Sequence, residues 1–571
     1  MATARSGLRA FTSVISPLVC RRRLSTGLKR LSDQTPPPKG NLSTAAAKSV
    51  TDASAAASAA TATGPLSVPL DRPLAGLPPV TYAGLPKSGP FETELTVLEN
   101  GLKVTTEKRF GDCCTIGVVV DAGTRYEVAY PSGVCHFLEK LAFGSTERFS
   151  DRDEIQAVLD SEAGLCDAQA SKDCMVYAAS CLNGRNSSRR VLEVIADAVL
   201  RPQLTDEELQ TAAQAIKFEL SDLHQKPQCE PLLTDWIHEA AYKANTLGLP
   251  RYCPEENVEK VGADLLFSYL KTHYRPERMV VAGVGLPHEE LVAAAKEFFV
   301  DRPAAWESEP NLAPDAHAAP DASLAQYTGG EKRVVKDLKP TNQGEELAAF
   351  PELAHVVVAL ESCGYRETAD FVAFCVLNSL MGGGNSFSAG GPGKGMYTRL
   401  YTRVLQTHTH MYACAAYNHA YADTGLFMIH GSAPPSLMDP LKVSKVVVEQ
   451  LLSTAEGFSK EELGRAKRQL QSTLMTNLEQ RPVAFEDLGR QTLEFGHRVP
   501  PTEYVDRIEA VTHADVKRVA ERMLASRPSL VGYGDIERLP SLRQFELATA
   551  KRCVASLDAQ QTTSTIFGGW R

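Results

Sequence analysis

The sequence predicts an α+β fold built from two homologous, duplicated domains of about 200 residues each, every one a mixed sheet packed with helices. Three matched pairs of segments, in the same order in each half, predict it. TIGVVVDAGTRYE (Thr115 to Glu127) and HVVVALESCGYRE (His355 to Glu367) are β-rich runs closed by a turn. LTDEELQTAAQAIKFEL (Leu204 to Leu220) and FSKEELGRAKRQLQSTL (Phe458 to Leu474) each open with Thr or Ser three positions before a Glu, the capping-box signature of a helix start. The segments Asn257 to Gly285 and Arg507 to Asp535 both read as a helix followed by a short apolar strand. One such match can arise by chance, whereas three in one order argue for duplication.

The chain divides around these halves. Residues 1–33 carry Arg5, Arg9, Arg21, Arg22, Arg23, Lys29 and Arg30 and no acid before Asp33, which is the composition of a mitochondrial transit peptide. A basic tail for nucleic acid or membrane is the competing reading, and the abrupt end of the basic block at Asp33 disfavours it. Removing these seven cations takes the formal net charge from -9 to -16, a surface that favours cationic partners and disfavours nucleic acid. Residues 34–91 are rich in Ala, Ser, Thr and Pro and read as a linker. The first domain is expected over 92–303, a second loose stretch joins the halves over 304–323, the second domain covers 324–545, and 546–571 is a tail.

Composition agrees with this division. With 43% hydrophobic and 23% charged residues in 571, the chain has the material for at least two cores and the balance of a globular protein. No apolar run reaches the roughly 20 residues that span a bilayer. The thirteen cysteines show no CxxC pairs, which favours buried free thiols in a reducing compartment.

The chemistry lies in SGVCHFLEKLAFGSTERFS of the first half. An inverted zinc-peptidase motif, H-x-x-E-H, sets two His ligands four residues apart on one helix face with the Glu placed to deprotonate zinc-bound water. His136 and Glu139 stand in register with it, but Lys140 occupies the second ligand position. A protonated Lys has no lone pair and repels a divalent cation. Lys140→His would supply the missing donor. Taken alone, HFLEK reads better as a helix with an incidental histidine, and the surrounding sequence reverses that.

In the second half, LMGGGNSFSAGGPGKGMYTRLYTRVL places Gly382, Gly383, Gly384, Gly390, Gly391, Gly393 and Gly395 within fourteen residues. Little backbone restraint and little side-chain bulk suit a loop that admits a peptide. A long flexible turn between helices is the plainer reading. A phosphate cradle is disfavoured, because Lys394 is followed by Gly395 and no hydroxyl stands ready for magnesium.

From about Glu92 to Pro540 the chain resembles the pitrilysin-type zinc peptidases, and within them the non-catalytic branch formed by processing-peptidase alpha subunits. The resemblance implies that the two domains form a half-shell. It also implies that Glu219, in IKFELSDL, stands where the family keeps its third zinc ligand, so that His136, Glu139 and Glu219 are retained and the middle ligand is lost to Lys140. No metal or other cofactor is then expected in this chain, and zinc is expected in a beta partner with the complete motif. The glycine-rich segment resembles the element that the alpha subunits use for presequence binding, which nominates Gly382, Gly383, Gly384, Ser386, Phe387, Gly390, Gly391, Gly393, Lys394 and Gly395 as substrate-binding residues. Two readings stay open at this stage: a recognition subunit of a heterodimeric presequence peptidase in the mitochondrial matrix, or a structural core subunit of respiratory complex III at the inner membrane. They are not exclusive.

Overall fold

The computed structural model describes residues 92–184, 186–225, 229–243, 246–313, 319–338, 352–386 and 395–558. The transit peptide and first linker lie outside the described residues, as do residues 314–318 of the join, Phe387, Gly390, Gly391, Gly393 and Lys394 of the glycine-rich segment, and 559–571 of the tail.

In the first half the strands are β1 (Thr93–Val97), β2 (Lys103–Glu107), β3 (Cys113–Val120), β4 (Leu165–Ala170), β5 (Met175–Leu182) and β6 (Met279–Val284). Its helices of eight residues or more are α1 (Val134–Leu141), α2 (Arg152–Ser161), α3 (Ser187–Leu200), α4 (Asp206–Gln225), α5 (Glu230–Tyr242), α6 (Ala263–His273) and α7 (His288–Phe299). The second half repeats the plan with β7 (Gly330–Val335), β8 (Ala354–Ser362), β9 (Gly383–Asn385), β10 (Ala413–Ala420), β11 (Gly425–Ala433) and β12 (Ser529–Gly534). Its helices are α8 (Thr368–Met381), α9 (Pro440–Ser453), α10 (Lys460–Leu478), α11 (Arg481–Phe495), α12 (Pro501–Ala510), α13 (His513–Leu524) and α14 (Leu542–Ala550).

Each sheet has six strands, in the orders β1-β2-β6-β3-β5-β4 and β7-β12-β8-β11-β10-β9. Five strands correspond one to one, and the pairing directions agree throughout: β2 with β6 and β7 with β12 are parallel, the other shared pairs antiparallel. All three segment matches are therefore structural matches, and the duplicated α+β class holds.

The central strands explain why β3 and β8 are nearly continuous apolar runs: both of their faces are covered. Ile116, Val118 and Val120 face the helices of their own half, while Val119 faces Ala484, Phe485 and Leu488 of α11, a helix of the other half. Conversely, Val356, Val358 and Leu360 face their own helices, and Val357 and Ala359 meet Leu233, Ile237 and Ala241 of α5. Each half thus lends one helix to cover the other's sheet. Close approach depends on Gly489, where an added Cβ would stand 2.5 Å from Val119 Cγ2. Charge joins the halves as well: buried Arg125 donates to both oxygens of Asp423 at 3.1 and 2.6 Å and to Asp173 at 2.9 Å.

Two boundaries move. Ala304, Trp306 and Ala313 are buried in the first core, so the join expected to start at 304 begins with packed chain, because Trp306 carries enough apolar surface to dock. At the other end α14 runs through position 545, and Leu557 is buried in the second core, so the folded part reaches 558. All described cysteines are free and most are buried, with Cys113 exposed and Cys114 buried as strand alternation requires.

Candidate functional site

The site is assembled on α1, whose first turn has no side-chain cap of its own because Gly133, in the left-handed region, precedes it. Glu127 supplies the cap from the preceding turn. Its carboxylate accepts the Gly133 and Cys135 backbone N–H groups at 2.8 and 2.7 Å. Burial pushes this carboxyl up to about 7, although both hydrogen bonds favour the charged form.

From the helix so fixed, His136, Glu139 and Lys140 meet Glu219, which projects from α4. His136 Nε2 lies 3.2 Å from Glu219 Oε2, and Lys140 Nζ lies 2.5 Å from the same oxygen and 3.4 Å from Glu139 Oε1. The four residues expected to share a site do share one. The ammonium of Lys140 thus stands between the Glu139 and Glu219 carboxylates and pairs with both. Burial alone would raise the Glu219 carboxyl, but hydrogen bonds from His136 and Lys140 and the Lys140 charge bring it down to about 2. Lys140 is shifted up in turn: burial opposes its charge, and Glu139 and Glu219 more than offset that.

Three further residues were not visible in the motif, and they close the site. The Cys253 backbone N–H donates to His136 Nδ1 at 3.1 Å, so Nδ1 is the acceptor nitrogen and the ring proton sits on Nε2, facing Glu219. A metal-ligating His ordinarily donates its second ring N–H to an acceptor. For Nε2 to bind metal here, Nδ1 would have to carry a proton pointing at another N–H. Tyr252 packs edge-on against the His136 ring at 5.7 Å, and Arg251 Nη2 lies 3.5 Å from Glu139 Oε2. That oxygen also accepts the Ala170 N–H at 2.8 Å. The group that would act as general base is thus engaged by Lys140, Arg251 and a backbone amide. No sequence signal marks Arg251 to Cys253, since they reach the site from a loop more than a hundred residues after α1.

The site therefore does not fit a catalytic zinc: one ligand is a cation, and a second presents a proton. Among the described residues, no group of three or more His, Cys, Asp or Glu is arranged to hold a metal ion.

The glycine-rich residues belong to the edge of the second sheet. Gly383 to Asn385 form β9, paired with Ala413 to Ala415 of β10. Gly382, Gly383 and Gly384 all have positive φ, and a Cβ on Gly383 would stand 2.1 Å from Cys414 O. These glycines are a close-packed edge, not the unrestrained chain that composition suggests. Thr398 ties the two roots together: its hydroxyl accepts from Gly383 N at 3.2 Å and donates to Gly395 O at 2.7 Å. Ser386 continues the edge through its N–H to Tyr412 O at 2.8 Å.

Comparison with known proteins accounts for this combination. Residues 103–255 match the family described as Insulinase (Peptidase family M16), and residues 260–470 match the Peptidase M16 inactive domain. The chain belongs to the M16 peptidase family. Within the family it is 46% identical to the mitochondrial-processing peptidase subunit alpha of Bos taurus, over 85% of this chain and 90% of that one. It is 45% identical to the Homo sapiens subunit alpha over 85% and 90%, and 44% identical to that of Caenorhabditis elegans over 86% and 93%. His136, Glu139, Lys140 and Glu219 all fall within the span of the first M16 match, with Lys140 at the position where the inverted motif has its second His.

Proposed function

We propose that this chain is the non-catalytic alpha subunit of a mitochondrial processing peptidase, which binds the basic presequences of imported precursors for cleavage by a zinc-bearing beta subunit. The observation that carries the reading is the filled site: an M16 fold keeps the motif helix and the partner helix, yet Lys140 and Arg251 neutralise the two carboxylates that catalysis needs. Such a chain acts by binding. Its glycine-rich segment, anchored at both roots, offers peptide a surface with little side-chain bulk, and the acidic charge left after loss of the N-terminus attracts cationic sequences. The relatives named above are processing-peptidase subunits, so the alternative, a core subunit of respiratory complex III, is not favoured. The acid-free N-terminus and the relatives' names support a mitochondrial location, in the matrix. Among the described residues, no helix is long and apolar enough to cross a membrane.

Reconstitution tests the proposal. The isolated chain is expected to leave a presequence substrate intact, and an equimolar mixture with a beta subunit carrying a complete H-x-x-E-H is expected to cleave it. Deleting residues 387–394 is expected to raise KM in the mixture while the heterodimer still assembles. Cleavage by the isolated chain that disappears on Glu139→Gln would contradict the reading.

A further inference from the structure

Beside the filled site, the end of α1, one side of α2, the edge strand β4 and the start of α4 line an open cavity of about 790 Å³. Its volume falls in the range of sites that hold small ligands or short segments of chain. Leu141, Ile155, Leu159 and Ala212, all buried, form an apolar floor. Five carboxylates line it, from Glu139, Asp151, Asp167, Glu207 and Glu208, against two cations, Lys140 and Arg152. Lys140 is already held by Glu219, which leaves Arg152, among the described residues, as the one lining cation outside that pair. Glu208 is spent on the Ser145 N–H and hydroxyl, whereas Asp167 and Glu207 are exposed at the rim.

We infer that this cavity is a second presequence-binding site, which takes a basic, amphipathic peptide segment with its apolar side chains on the floor and its Arg or Lys side chains at the Asp167 and Glu207 rim. The inference rests on the reading of the chain as a presequence-binding subunit and places part of that binding in the first half, away from the glycine-rich segment. Charge complementarity selects the occupant. An acidic rim rejects polyanions, and an apolar floor is wasted on a simple cation. The chain's own first 32 residues have the required chemistry: seven cations, no acid, and Leu8, Phe11, Ile15 and Leu18 at the three- and four-residue spacing of one helix face.

The probe is a fluorescein-labelled peptide of residues 1–32, titrated by anisotropy into the full chain at two ionic strengths. Asp167→Asn with Glu207→Gln is expected to weaken binding about fivefold and to reduce its salt dependence, in keeping with modest exposed ion pairs. Ala215→Trp, an exposed position that fills the cavity and leaves every carboxylate in place, is expected to weaken binding by a similar factor with the salt dependence unchanged. All three substituted positions are exposed, so the melting temperature should hold, and a benzophenone side chain at position 156 should cross-link the peptide. Unchanged affinity in both variants, or no cross-link at 156, overturns the site. If deletion of 387–394 abolishes binding while both variants bind normally, the recognition reading stands and the cavity is excluded. If the unaltered chain binds no peptide at all, both fail together.

Discussion

The two halves share five strands, their order and their directions, yet they extend their sheets at opposite edges. The first adds β1 beside β2, and the second adds β9 beside β10. The first brings His136, Glu139, Lys140 and Glu219 together at α1 and α4. In the second, the position that matches Glu219 is Thr473, and α8 contains neither His nor Glu. Duplication thus preserved what makes the core and let the edges diverge. The halves stay alike where strands are buried on both faces, since any change there disturbs packing on two sides.

The largest effect should come from breaking the exchange of helices. Phe485, fully buried against the first sheet, is expected to cost about 3–5 kcal/mol on replacement by Ala. Because α5 and α11 each cover the other half's sheet, calorimetry of Phe485→Ala should show one transition moved down. Two separate transitions, with only one displaced, would show that the halves are not interlocked.

A smaller loss sharpens the contrast between edges. Gly383→Ala places a Cβ against Cys414 O at positive φ and is expected to cost about 2 kcal/mol, read as faster amide exchange at Gly382 to Ser386. Exchange indistinguishable from the unaltered chain would mean that β9 does not need glycine.

At the filled site, Lys140→Met removes the cation that Glu219 faces. The Glu219 carboxyl is held at about 2, below its unfolded value, so its contribution is present above the unfolded value and is lost as pH falls toward 2. After discounting for partial exposure this amounts to about 2 kcal/mol. Urea melts between pH 5 and pH 2 should therefore show a shallower loss of stability in Lys140→Met. An unchanged slope would remove the ammonium from its structural role.

The smallest effect compares matched caps. Ser459 and Glu462 form a reciprocal box at the start of α10, and Thr205 and Glu208 make the same contacts at α4. Ser459→Ala and Thr205→Ala should each cost about 1 kcal/mol. A large inequality would mean that one of the two helices depends on its cap and the other does not.

The periodic features of the sequence carried the fold. β3 and β8 are legible as apolar runs, and α4 and α10 as capped helices, because local pattern and tertiary role coincide there. His136, Glu139, Lys140 and Glu219 were legible as one site through a motif and a family spacing. Arg251, Tyr252 and Cys253 were not, since their role depends on a loop folding back across a long stretch of chain. Glu127 was hidden for a similar reason: it caps α1 from outside the helix, where Gly133 leaves no side-chain signature. The glycine run misled in part, because composition suggests freedom while Gly382 to Gly384 serve a tight edge pairing that only the partner strand reveals.

On the proposed function, the Lys140 ammonium stands in place of a metal at the His136, Glu139 and Glu219 cluster. This is tested most directly by measuring zinc in the purified protein, unaltered and as Lys140→His, by elemental analysis against protein concentration. The unaltered chain should hold far less than one zinc. Lys140→His should remain well below one, because the Cys253 N–H still faces His136 Nδ1 and Arg251 still faces Glu139. One zinc per unaltered chain, lost on His136→Ala, would show instead that this site is a metal centre.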